Sequence, residues 1–200
     1  MRKRSAAWLG RTEEATRTIL EALGEDIKRP GIAETPLRFA KALEFWTSGY
    51  ESDPGAVIKQ FEDADQSYDE MVVMGNISVY SLCEHHLAPF FGVAHVAYIP
   101  NGKVVGLSKM PRLVEVFSRR LQMQERIGCQ IADAMMEHLK PKAVGVVLRC
   151  RHLCVESRGV QKSGTATFTS ALRGSFKDDP SARSEFMDFV KMADSGGKPI

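Results

Sequence analysis

The stretch MVVMGNISVYSLCEHHLAPFFGVAHVAYIPNGK, residues 71–103, decides how this chain is read. Two β-branched and aromatic runs of strand length, MVVMGNISVYSL and FFGVAHVAYIP, flank a short polar interruption. That interruption, CEHH at 83–86, sets a cysteine, a glutamate and two histidines side by side. The Asn-Gly of PNGK marks a turn after the second run. The pattern predicts two strands joined by a loop of metal ligands and proton carriers.

Downstream, the period becomes helical. MPRLVEVFSRRL and QERIGCQIADAMMEHL predict two helices, the second with Ile127, Ile131, Ala134 and Met135 on one side and Pro141 as its stop. AVGVVLRCRHLCVES and GTATFTSALRG return to strand composition. DPSARSEFMDFVKM predicts a last helix, with Asp179 as N-cap and Pro180 at its first position, followed by DSGGKPI as a frayed tail. Upstream, RTEEATRTILEALGED carries an apolar stripe of Ala15, Ile19, Ala22 and Leu23, with Thr12 as N-cap and Gly24 near the end. ETPLRFAKALEFWTSGY predicts a second helix capped by Thr35, with Pro36 at its first position, Phe39, Leu43 and Trp46 on one face, and Gly49 as its end. Residues 51–69 are acidic and irregular, a connection.

The order helix–helix, strand–strand, helix–helix, strand–strand, helix predicts an α+β fold with an antiparallel sheet and helices on one face. The expected organisation is an N-terminal helical extension over 1–66, a catalytic domain over 67–195 and a flexible tail over 196–200.

Composition narrows the function. The 200 residues are 44% hydrophobic and 26% charged, ordinary for a globular protein. With 27 Lys+Arg against 25 Asp+Glu the formal charge is +2, too small a surplus for a nucleic-acid wrap. The opening MRKRSAAWLGRTEEA has no apolar run of signal-peptide length, and no stretch reaches membrane-spanning length. The expectation is a cytoplasmic protein with reduced thiols, without nucleic-acid or membrane partners. Cys83, Cys129, Cys150 and Cys154 then read as ligands or buried thiols, with Cys129 and Cys150 assigned to the buried class.

A turn would bring Cys83 and His86 onto one ion. If RCRHLCVESRG is a strand, Cys150, His152 and Cys154 share a face, so that His152 and Cys154 reach the same site. Two thiolates and one imidazole leave a tetrahedral zinc one open position, the pattern of a catalytic site. Zinc lowers the pKa of a bound water from about 16 to about 7. His85 and His152 remain for acid–base work. A closed structural site, with a fourth protein ligand from elsewhere, is the alternative at this point.

SLCEHHLAPFFGVAHVAYIPNGKVVGLSK, QMQER, HLCVESRG and SGTATFTSALRG together resemble the GTP cyclohydrolase I family, and matching segments run in order from ETPLRFAKAL to SEFMDFV. The resemblance implies the tunnelling fold: an antiparallel sheet with an antiparallel helix pair inserted between its second and third strands. It implies a homodecamer of two stacked pentamers with active sites between subunits. It implies conversion of GTP and water to formate and 7,8-dihydroneopterin triphosphate, the first step of folate, biopterin or 7-deazaguanine synthesis. By the same matching, Zn2+ is held by Cys83, His86 and Cys154. His85 and His152 are the acid–base groups, and Ser108 of GLSK contacts the ribose. Gln124 and Glu125 bind substrate, Glu125 by accepting from the guanine ring N–H and amine. Lys109, Arg112, Arg158, Arg38 and Lys41 meet the triphosphate; guanidinium forks suit phosphate geometry. Arg149 and Arg151 depart from the apolar or acidic neighbours expected beside HLC and should face away from the site.

Two other readings compete. A nucleobase deaminase would carry H-x-E with P-C-x-x-C, and this chain has no C-x-x-C. A non-catalytic GTP- or pterin-binding relative would not need both His85 and His152.

Overall fold

Helices and strands follow the periodicity of the residues; the computed structural model describes residues 4–58, 60–61 and 68–196. In chain order these are α1 (Ala6–Ala22), α2 (Thr35–Trp46), a 3-10 turn (Ser48–Glu51), α3 (Pro54–Val57), β1 (Gln60–Phe61), β2 (Val72–Cys83) and β3 (Pro89–Ile99). There follow β4 (Val104–Val105), α4 (Lys109–Ser118), β5 (Leu121–Gln122), α5 (Gln124–His138), β6 (Ala143–His152), α6 (Leu153–Glu156), β7 (Thr167–Gly174), α7 (Ser175–Asp178) and α8 (Pro180–Gly196).

The five-stranded sheet has the order β5-β2-β3-β6-β7. The pairs β2–β3, β3–β6 and β6–β7 are antiparallel, as the sequence predicts. The edge strand β5 runs parallel to β2, pairing Leu82 with Leu121 and Cys83 with Gln122, so the sheet is mixed. A two-residue strand carries no periodicity to read. The helices α4 and α5 lie between β3 and β6 in the chain, the inserted pair that the element order indicates.

Side-chain alternation splits the core into two layers. Val79, Cys83, Phe90, Ala94, Val96, Val146, Leu148 and Cys150 pack under Met110, Leu113, Phe117, Ile127, Ile131 and Met135 of α4 and α5. Full burial of each large apolar side chain contributes about 1.5–3 kcal/mol. Ala97, Ala143 and Val147 face the other way, against Phe176 of α7 and Phe186 and Val190 of α8. Helices thus cover both faces, not one; the apolar face of α8 needs a partner, and the α4/α5 layer already fills the first.

Several local expectations move. Helix α1 starts at Ala6 after Ser5, and Thr12 is internal, its hydroxyl donating to Trp8 O at 2.9 Å. Helix α2 begins with Thr35 itself, after Glu34, so Pro36 is its second residue. The stretch 51–69 holds α3, capped by Asp53 Oδ1 accepting from Gly55 N at 3.0 Å, and β1. At α8, Asp179 caps as predicted, its Oδ1 accepting from Ser181 N at 2.8 Å. That helix continues over Asp194–Gly196, where the sequence suggested fraying; the rest of the expected tail, 197–200, lies outside the described residues. The amphipathic stripes of α1 and α2 exist but are partly open to solvent within one chain: Ile19 is 57% exposed on α1, and Phe39 is 39% and Trp46 37% exposed on α2, with Leu43 half-buried between them.

Candidate active site

The Cys-Glu-His-His cluster forms where β2 ends. Cys83 N donates to Ala88 O at 2.8 Å and Leu87 N to Cys83 O at 2.9 Å, closing a tight loop over residues 84–88. Leu87 takes a φ of +53°, a sparsely populated region for a bulky side chain, so the loop is held under local strain. The loop turns both imidazoles toward the Cys83 thiol, with Sγ 3.8 Å from His85 Nδ1 and 3.7 Å from His86 Nδ1.

Cys154 arrives from β6, not by the strand parity the sequence suggests. The strand stops at His152, and Cys154 sits in the short helix α6. A helical turn swings it to the same place: ligand atoms of Cys83, His86 and Cys154 lie within 4.8 Å of one another. Burial raises the Cys154 thiol above its usual range, and the neighbouring Cys83 adds to this, while Arg158 pulls the other way. A dication at this point would reverse that balance and favour thiolate. Arg158 NH1 donates to His86 Nε2 at 2.7 Å, setting a guanidinium at the rim.

Parity does hold for His152. It faces the α5 layer beside Phe90, and its Nε2 lies 2.8 Å from Gln124 Oε1. The amide nitrogen of Gln124 is surrounded by Leu148 O at 3.2 Å, Thr167 O at 3.0 Å and Thr169 Oγ1 at 3.0 Å. Those acceptors fix which end is oxygen, so His152 Nε2 is the donor and Nδ1 keeps its lone pair. Burial lowers the proton affinity of His152, with Glu125 and Glu156 opposing. Glu125 is exposed at the first turn of α5.

The site also contains a pair the sequence did not single out. Arg126 clamps Glu84 with both guanidinium nitrogens, at 2.5 and 3.0 Å. The available signal was Arg126 itself, a cation in a helical first turn where the macrodipole favours acids.

Other expected residues lie elsewhere. Lys109 shares a small cavity with Ile58, Val105, Met135 and Leu139, and Val105 N donates to Tyr98 Oη at 3.1 Å. Tyr98 and Phe90 stand at opposite ends of β3, about 26 Å apart along the strand. Ser108 and Lys109 are therefore at the far end of the sheet from Cys83 in the same chain, and Arg112 is one turn along α4. Arg38 pairs with Glu34 on the open face of α2, and Lys41 is exposed on the same helix. Arg149 and Arg151 turn to the opposite sheet face as predicted: Arg149 pairs with Asp194 at 3.4 Å, and Arg151 grips Glu156 at 3.0 and 2.7 Å. Cys150 is buried, its thiol pushed up to about 12, but Cys129 is exposed on α5 and not the buried thiol expected. No described helix is long and apolar enough to cross a membrane.

Comparison with known proteins agrees with this geometry. The family model for GTP cyclohydrolase I matches residues 12–191. GTP cyclohydrolase 1 of Campylobacter jejuni subsp. jejuni serotype O:6 is 55% identical over 183 residues, covering 90% of this chain and 95% of that protein. The proteins of the same name from Janthinobacterium sp. (strain Marseille) and Nitrosospira multiformis are 52% and 54% identical, covering 90% and 84% of this chain and 91% and 88% of theirs. With a match of that extent running through both halves of the site, the chain belongs to the GTP cyclohydrolase I family.

Proposed function

We propose that the protein is a zinc-dependent GTP cyclohydrolase I, releasing formate from GTP and forming 7,8-dihydroneopterin triphosphate. The observation that carries this is the convergence of Cys83, His86 and Cys154, with His85 3.8 Å from the Cys83 thiol and His152 two residues before Cys154 in the chain. Two thiols and an imidazole within one coordination radius suit zinc with a position left open. Zinc bound there would supply a Lewis acid and an acidified water.

The chain's own residues handle recognition and protons. Glu125 accepts from N1–H and the 2-amino group of guanine. His152, with Nε2 held by Gln124, takes a proton of the attacking water on its other nitrogen and passes it to N7 as the oxygen adds at C8; the proton of the new C8 hydroxyl then goes to N9 as the C8–N9 bond breaks. A second water releases C8 as formate. His85 serves the ribose oxygen during sugar opening and rearrangement, and loss of water closes the new ring. Arg158 meets the triphosphate.

Ser108, Lys109 and Arg112 belong to this reaction only if they come from another copy, because their own metal loop is a sheet length away. That separation, with the partly open apolar stripes of α1 and α2, supports a homo-oligomer. We propose the tunnelling-fold arrangement: a decamer of two pentamers with sites between subunits. Arg38 and Lys41 would add charge at such a boundary. The setting is cytoplasmic, and the product feeds pterin, folate-type or 7-deazaguanine synthesis. The test is to incubate zinc-loaded protein with GTP and measure formate together with the mass and fluorescence of the product. GTP bound without formate would mark a binding protein and overturn the reading.

A further inference from the structure

Gln124, Glu125 and Arg126 are consecutive in the first turn of α5, and their side chains have different fates. Gln124 is 1% exposed, and both ends of its amide are taken: one by Leu148 O, Thr167 O and Thr169, the other by His152. Arg126 spends both terminal nitrogens on Glu84. Glu125, between them, is exposed. Backbone bonds reinforce the second connection: Cys83 pairs with Gln122, and Glu84 N donates to Gln122 O at 3.1 Å.

We propose that Gln124 and Arg126 are positioning residues, a two-armed clamp that leaves Glu125 alone to read the base. One arm fixes the His152 ring; the other locks the start of α5 to the loop carrying Cys83 and His86. The physical need is distance. Glu125 must hold guanine so that C8 lies over the metal loop, and an error of about 1 Å costs about 10²-fold in rate. A bidentate guanidinium–carboxylate pair fixes direction as well as length, which a lysine cannot do. It also accounts for a cation placed against the helix dipole.

This rests on the proposed role of Glu125, and the test separates the two. GTP and ITP, which lacks the 2-amino group, are compared by calorimetric affinity and by turnover, with zinc content and melting temperature measured on every variant. Glu125→Ala should abolish the preference for GTP; an unchanged preference there would overturn the role of Glu125 itself. With that role standing, Arg126→Met and Glu84→Gln should keep their zinc, lose at least about tenfold in kcat/KM for GTP and compress the GTP/ITP ratio. Arg126→Lys should recover only part, and the charge-swapped pair Glu84→Arg with Arg126→Glu should recover more than either single change. A lowered melting temperature with an intact GTP/ITP ratio would reduce the pair to a structural brace. Gln124→Met, close in volume, should lower kcat and leave GTP affinity unchanged. Weakened affinity at unchanged kcat would make Gln124 a substrate contact and overturn that arm.

Discussion

Phe90 and His152 lie face to face across β3 and β6, ring centroids 4.7 Å apart and 10° from parallel. The stack fixes the plane of the imidazole, and Gln124 fixes its rotation. His85, by contrast, projects from the loop with 59% of its side chain exposed. His85 and His152 therefore have unequal freedom, and unequal roles are expected of them.

His152→Ala should block opening of the guanine imidazole ring. His85→Ala should still allow some opening, leaving GTP or a formamidopyrimidine species while dihydroneopterin triphosphate fails to appear. Each loss should reach at least about 10²-fold. Products from each variant are resolved by chromatography and mass. Ring opening at the wild-type rate in His152→Ala contradicts the assignment.

Cys154→Ser should lose zinc and turnover together, read by metal analysis and by formate release. Stoichiometric, tightly held zinc in that variant would remove Cys154 from the ligand set. In air, metal-free wild-type protein should form a Cys83–Cys154 cross-link, because the two thiols share one small cluster. Peptide mapping under non-reducing conditions reports it.

His95 should make the fold acid-sensitive. It is fully buried on β3, and among the described residues neither ring nitrogen makes a hydrogen bond. Asp194 Oδ1 lies 3.5 Å from Nε2 and raises the proton affinity, Arg149 lowers it, and burial, the largest cause, leaves it below the ordinary value. The unfolded chain takes up a proton near the usual histidine pKa of about 6.5, and the folded chain only at lower pH. Stability contributed by this site is thus complete above that pH and falls as the pH drops from there toward the depressed folded value. His95→Gln should flatten this part of the profile in denaturant titrations at about pH 7.5 and about pH 5.5. Equal pH dependence in both proteins would refute the assignment.

Gly92→Ala should disrupt the sheet. An added Cβ would stand 2.0 Å from Arg149 O and 2.6 Å from Cys150 Cα, both backbone atoms of a strand that cannot yield. The expected loss is at least about 3 kcal/mol, seen as a lower denaturation midpoint. A midpoint within about 0.5 kcal/mol of wild type would show that β3 and β6 can part here.

Local chemistry in the chain determined the long strands, the inserted helix pair and most of the Cys–His cluster. Period-2 alternation fixes which of Cys150 and Arg149 faces the core, and Asp179 before α8 with Pro180 at its first position fixes its start. What the sequence could not carry was whatever depends on distant partners. The parallel edge strand β5 has two residues, too few for any period. The placement of α8 on the second sheet face followed from which surface was still open. Cys154 reached its site through a helical turn although parity had suggested a strand, since both geometries bring residue 154 near residue 152. Whether Gln124 touches substrate or protein is decided by Leu148, Thr167 and Thr169, brought to it across the sheet. Arg126 and Glu84 show the same limit: their charges are legible in the sequence, but only the parallel pairing of Cys83 with Gln122 brings helix and loop within reach.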